Sequence, residues 1–178
     1  MGKINLIFSQ TEMVYWLRTF ELPLASRGSR GKPIVNILPL GEDEKITSIL
    51  QVKEYDENQF VFMATANGTV KKTPLPSFAR QRSVGLRAIE LDDNDELVGT
   101  AVTDGTRDLI LMSTSGKTIR FSEQDVRAMG RTARGVRLNE IGQRLYPRVK
   151  AWVQAGQLLT GDATGVLREP AGLVRLGI

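Results

Sequence analysis

Two stretches of this 178-residue chain carry one pattern: Val61 to Thr73 reads VFMATANGTVKKT, and Leu109 to Phe121 reads LILMSTSGKTIRF. Take Gly68 and Gly116, 48 residues apart, as anchors. Thr65 and Ser113 stand three residues before them, and Phe78 and Val126 ten residues after. Gly85 and Gly135 end an arginine-rich loop 17 and 19 residues after. The start of the chain fits with Glu12 at the anchor, 56 residues before Gly68, which places Ser9, Leu22 and Gly31 in the corresponding positions. A period of about 20–50 residues means one supersecondary unit used several times, each copy burying its apolar face against the next.

Every copy has its parts in the same order. An apolar strand (NLIFS, FVFMAT, LILMS) leads through a turn into a second strand (MVYWL, TVKKT, KTIRF). A polar segment with one apolar residue (Leu22, Phe78 or Val126) precedes the arginine loop (ASRGSRGKP, ARQRSVG, MGRTARG). A third strand follows (IVNIL, LRAIEL, VRL), then in the first two units an acidic turn (GEDEK, DDNDE) and a closing strand (ITSILQV, LVGTAV). Four short strands per unit, punctuated by glycine and acidic turns, is the sequence form of a propeller blade. The expected fold class is therefore all-β and propeller-like, with about three four-stranded blades. The one helical signal is SEQDVRAM, where Ser122 is placed to cap a single turn.

Composition removes whole classes of chemistry. Cysteine and histidine are both absent, which excludes disulfides, thiolate or imidazole metal sites and histidine-activated nucleophiles. No run approaches the roughly 20 apolar residues of a membrane helix, and MGKINLIF lacks the apolar core of a secretory signal. Cytoplasmic residence and no membrane partner are the expectation. Three motifs imitate catalysis without completing it. STSGKT, Ser113 to Thr118, ends like a phosphate-binding loop, but Leu111 stands where that motif needs its first glycine. The carboxylate pairs Asp92/Asp93 and Asp95/Glu96 recur at a turn position, where Asp and Asn bond locally to the backbone. Tyr15, Tyr55 and Tyr146 sit in unrelated contexts.

The basic residues remain. Arg27, Arg30 and Lys32 belong to the first unit, and Lys71, Lys72, Arg80, Arg82 and Arg87 to the second. Lys117, Arg120, Arg127, Arg131, Arg134 and Arg137 belong to the third. In a ring of blades equivalent positions share a surface, so these side chains are expected on one rim, with the acidic turns largely away from it. Such a rim tracks a polyanionic backbone. No base-reading helix or aromatic platform accompanies it, so the expected partner is duplex DNA held by its phosphates and bent around a curved face.

Three segments also resemble the C-terminal domain of the DNA gyrase A subunit: VYWLRTFELPLASRGSRGKPIVNILPL, MATANGTVKKTPL and GKTIRFSEQDVRAMGRTARGV. The likeness spans about residues 8–137 and extends to the topoisomerase IV counterpart. It implies a six-bladed β-pinwheel that wraps duplex DNA for ATP-dependent supercoiling, of which residues 1–137 supply blades. It implies a bacterial, nucleoid-associated setting, and as partners the rest of the gyrase A subunit together with the gyrase B subunit. No cofactor is implied on this chain, since ATP and Mg are used elsewhere in the parent complex, and no catalytic residue is carried over. The Gln-Arg-Arg-Gly-Gly-Lys-Gly box that marks gyrase is absent, which leaves topoisomerase IV open as a second reading. A propeller-like protein-interaction module with a basic rim is a third. Residues 138–178 depart from the pattern, with only a faint echo of a further blade at LLTGDATGVLREP.

Overall fold

A computed structural model describes residues 3–28 and 30–138; the divergent tail expected after Leu138 lies outside the described residues. The strands are β1 (Ile4–Ser9), β2 (Met13–Arg18), β3 (Ile46–Val52), β4 (Phe60–Thr65), β5 (Thr69–Pro74), β6 (Leu86–Arg87), β7 (Leu97–Thr103), β8 (Asp108–Met112), β9 (Thr118–Ser122) and β10 (Val136–Arg137). Short 3-10 turns follow β2, β5 and β9, so the described residues are all-β in architecture. Ser122 caps the turn after β9 by accepting the Gln124 N–H, as its position in the sequence predicts.

The hairpins form where the repeat places them, and their turn chemistry explains why. Gly68 and Gly116 take φ of 81° and 78°, a left-handed conformation that costs glycine nothing. The hydroxyls three residues earlier brace the same turns: Thr65 Oγ1 accepts the Thr69 N–H at 3.1 Å, and Ser113 Oγ accepts that of Lys117 at 3.1 Å. Ser9 and Thr65 also mark matching irregularities in register against β3 and β7. Thus Gly116 and its hydroxyl neighbours, which imitate a phosphate loop in the sequence, make a hairpin turn.

Strand alternation in β4 distributes side chains to two of the three buried clusters among the described residues. In β4, Val61 and Met63 face the first unit and pack with Leu6, Phe8 and Val14; Phe62 and Ala64 face the third unit and pack with Leu109, Leu111 and Phe121. Burial on both faces explains why FVFMAT is apolar throughout, without the apolar–polar alternation of a half-exposed strand. Phe78 meets Phe8 edge-on with ring centroids 5.9 Å apart. Each unit's apolar residue after the second strand thus plugs onto the preceding hairpin: Phe78 and Val126 are 0% and 1% exposed. The first unit differs. Leu22 is 42% exposed, and Phe20 and Leu24 beside it are more so.

The two larger sheets are four-stranded, as expected of blades, but each takes one strand from the following unit: the orders are β3-β1-β2-β6 and β7-β4-β5-β10. The expected third strand shrinks to two residues in LRAIEL and VRL, and it pairs with the hairpin of the preceding unit. The ladder continues one step further in each case: Ala88 N–H bonds to Glu12 O, and Leu138 N–H to Gly68 O, both accepting residues being anchors of the repeat. In the first unit, IVNIL forms a 3-10 turn at Ile34–Asn36 instead of a strand. Each arginine loop after the first therefore crosses from its own blade to the one before.

Candidate nucleic-acid interface

The crossing places two arginine loops together. Gly85 and Gly135 end them with φ of 78° and 120°, each pressed against the hairpin that receives the loop. The residues after Gly85 run beside the loop that leads to Gly135: Glu90 N–H donates to Ala133 O at 3.3 Å, and Arg131 Nη1 to Arg87 O at 3.3 Å. Arg87 of the second unit and Arg131, Arg134 and Arg137 of the third thereby share one surface. Lys117 and Arg137 meet across a cleft of about 640 Å³ between the second and third hairpins.

Arg27, Arg30, Lys32, Arg80, Arg82, Lys117, Arg120 and Arg127 are exposed where the sequence places them on loops and hairpins. Two expected members do not reach the surface. Lys71 is 0% exposed, and its Nζ donates to Ala88 O at 2.8 Å and to Arg131 O. Lys72 is 7% exposed; its Nζ donates to Glu123 O at 2.8 Å and sits 5.0 Å from the centre of the Phe60 ring. Both amines are occupied by carbonyls inside the joint, so they are corrected from phosphate contacts to internal donors. A lysine surrounded by apolar strand residues reads as an exposed edge in sequence. Only the carbonyls folded against them, Ala88 O of the same unit and Arg131 O and Glu123 O of the next, 17 to 60 residues away, show otherwise.

The expected separation of acids from arginines also fails. Asp92, in the acidic turn, holds Arg134 at 2.8 Å and Arg137 at 3.2 Å. Glu12 holds Arg87 Nε at 2.7 Å while accepting the Leu91 N–H at 3.0 Å. The strand exchange brings the acidic turn of one unit under the arginine loop of the next. These pairs orient guanidiniums that stay 53–58% exposed. Surface pairs of this kind contribute about 0–1 kcal/mol, little enough for a phosphate to compete. Asp92→Asn is expected to raise duplex affinity about two- to threefold, because it removes a carboxylate that competes for two arginines. Titration of the variant against the wild-type protein checks this; a loss of affinity would show that Asp92 orients more than it competes.

Glu44, another turn carboxylate, is a structural hub. Burial opposes its ionisation, but hydrogen bonds from Ser9, the Gly41 N–H, Tyr15 and Thr11 together outweigh burial and lower its pKa. Burial and the Glu44 carboxylate push the Tyr15 phenol up to about 12. Nothing in the turn chemistry of GEDEK announces this role, which arises because β2 brings Tyr15 Oη within 2.9 Å of Glu44 Oε2.

Lys71 titrates unusually. Burial most of all, then the Arg131 charge, lowers its pKa from the ordinary 10.5 to about 7, with Glu90 opposing. Between about pH 7 and 10 the unfolded chain then binds the extra proton, so stability rises with pH. Tyr15 acts in the opposite sense only above about pH 10. Denaturation midpoints at pH 7 and 9.5 should show the rise, and Lys71→Met should flatten it.

The family profile for the DNA gyrase C-terminal domain, described as a beta-propeller, matches residues 6–53, 59–104 and 107–146. This chain belongs to the DNA gyrase C-terminal domain family. The DNA gyrase A subunit of Salmonella typhimurium is 56% identical over 132 residues, covering 74% of this chain and 15% of that protein. The Escherichia coli K12 counterpart is 52% identical over 138 residues, covering 78% of this chain and 16% of that protein. The gyrase-family chain thus spans about one sixth of these relatives. Its fold resembles the C-terminal domain of DNA topoisomerase IV with a TM-score of 0.71 and 31% identity, over 76% of this chain and 42% of that one. It also resembles a DNA gyrase A C-terminal domain with a TM-score of 0.62 and 21% identity, over 76% and 43%. Among the described residues, no helix of this gyrase-family chain is long and apolar enough to cross a membrane.

Proposed function

We propose that this chain binds duplex DNA by its phosphate backbone, without sequence preference, and forms part of the wrapping surface of a gyrase-type A subunit. The observation that carries the reading is the joint between the second and third units. There the exchanged strands set Arg87, Arg131, Arg134 and Arg137 along one exposed surface. Planar guanidiniums with five donors each suit bidentate phosphate contact, and a duplex presents one charge per about 1.7 Å of its axis. Repeating the hairpin repeats the joint, and so repeats the contact along a curved path.

In this reading the partners are the rest of the gyrase A subunit together with the gyrase B subunit, in the bacterial cytoplasm at the nucleoid. Cleavage and ATP hydrolysis belong to other parts of the complex. Identities of 52–56% with DNA gyrase A subunits over about three quarters of this chain support the gyrase branch. Fluorescence anisotropy with two unrelated duplexes over a range of salt tests the proposal. Affinity should fall steeply and equally for both, since each neutralised phosphate releases condensed counterions. A flat salt response, or selective binding to an acidic protein, would favour an interaction module instead. The purified chain should neither hydrolyse ATP nor nick DNA; either activity, lost on substituting Lys117 or a tyrosine, would overturn the non-catalytic assignment.

A further inference from the structure

We infer that Lys71 is a positioning residue, which from inside the joint holds the third arginine loop in register with the second so that arginines of two units make one surface. The inference rests on the DNA-binding reading above for its functional consequence, but its structural part stands alone. Lys71 Nζ donates to Ala88 O, just after Arg87, and to the main-chain carbonyl of Arg131 itself. One side chain on β5 therefore ties together the two loops that carry the surface. Its neighbour Lys72 fixes the start of the same segment through Glu123 O, while Lys72 O accepts the Met129 N–H at 2.8 Å. The segment from Glu123 to Arg131 is thus held at both ends by adjacent lysines.

The other joint shows that this is a recurring position. Trp16 and Lys72 each stand four residues after their anchors. Trp16 Nε1 donates to Phe78 O at 2.9 Å, and Lys72 Nζ to Glu123 O at 2.8 Å, so both reach the 3-10 segment of the following unit. Tyr15 and Lys71 each stand three residues after their anchors, beneath Gly85 and Gly135 respectively. The first joint uses an aromatic ring there. The second uses an amine, which reaches further and ends on the loop carbonyls. The Lys71 Nζ carries N–H donors for both carbonyls that it reaches.

Two measurements on the full chain test this. In the wild-type protein, lysine acetylation should leave Lys71 poorly reactive both with and without DNA. A reactive Lys71 that DNA protects would overturn the inference in favour of a direct phosphate contact. In Lys71→Met, which keeps the volume and removes the donors, amide exchange at Met129, Ala133 and Val136–Arg137 should accelerate about tenfold, with β1 and β2 unchanged. The salt slope of duplex binding should fall by about two to three units although the substituted side chain is buried and offers no phosphate contact of its own. Adding the substitution to an Arg131/Arg134/Arg137→Ala background should cost little more affinity. Unchanged exchange in the loop, or a slope reduced by one unit in both backgrounds, would overturn it. Should Lys71→Met fail to fold, the acetylation pattern decides. Should the wild-type chain show no salt-dependent duplex binding, the proposed function fails, while the exchange result still upholds or rejects the role of Lys71 in holding the loop.

Discussion

Replacing Arg131 and Arg134 with alanine is expected to weaken duplex binding about tenfold to hundredfold near 0.1 M salt, equally for unrelated sequences. The estimate takes about 1 kcal/mol net for each lost charge-assisted contact, on the order of what such bonds contribute when water competes. Arg134 is 58% exposed and held from one side by Asp92, so its substitution removes a phosphate donor without opening the core. Arg131 contributes its side chain to Arg87 O, while its main-chain carbonyl, which alanine retains, receives Lys71. Folding should therefore survive, and circular dichroism should match the wild-type protein. The log–log salt slope should become shallower by roughly one unit per lost contact. A slope that does not change, or a loss confined to one duplex, would refute a phosphate-tracking surface.

Gly135→Ala should produce the largest loss of stability, about 3 kcal/mol or more. At φ of 120° an L side chain is strained, at about 1–3 kcal/mol. The added Cβ would also lie 2.6 Å from Val70 O, a backbone atom of β5 that has no room to retreat, which adds an overpacking cost of about 1–3 kcal/mol. Because Gly135 leads directly into β10, the strain falls on the exchanged strand, and duplex affinity should drop although no charge has changed. Gly130→Ala is the control: nothing lies within 4 Å of its added Cβ, and its effect should stay within about 0.5 kcal/mol. Equal urea midpoints for the two variants would show that the loop does not depend on its seat against β5.

The contrast between these glycines shows which information is local. Gly68 and Gly116 were legible as turn residues because a hairpin turn is decided by the four residues within it, and Thr65 and Ser113 act on donors four residues away. The apolar runs of β1 and β4, the cap at Ser122 and the all-β class were legible for the same reason. Strand period and cap geometry are written within a few residues of where they act. The repeat extended this reach, because three imperfect copies of one pattern reveal a unit that one copy would not. The resemblance carried by those copies identified the family.

The exchange of edge strands was decided by tertiary structure. A strand of two residues, such as Leu86–Arg87, has no periodicity to read, and its choice of partner is set by which hairpin presents an open edge. That choice then determined everything about the charges. It brought Asp92 against Arg134 and Arg137, although their sequence positions placed acid and base in separate segments. It left Leu22 exposed while Phe78 and Val126 were buried in equivalent places, because only the latter two have a preceding hairpin to plug among the described residues. Most of all it buried Lys71 and Lys72. Their long stems pass through apolar surroundings as easily as they reach water. Whether an amine ends in solvent or on a carbonyl depends on what chain 17 to 60 residues away is folded against it. Residue type fixes what a side chain donates, but only the packed joint fixes to whom.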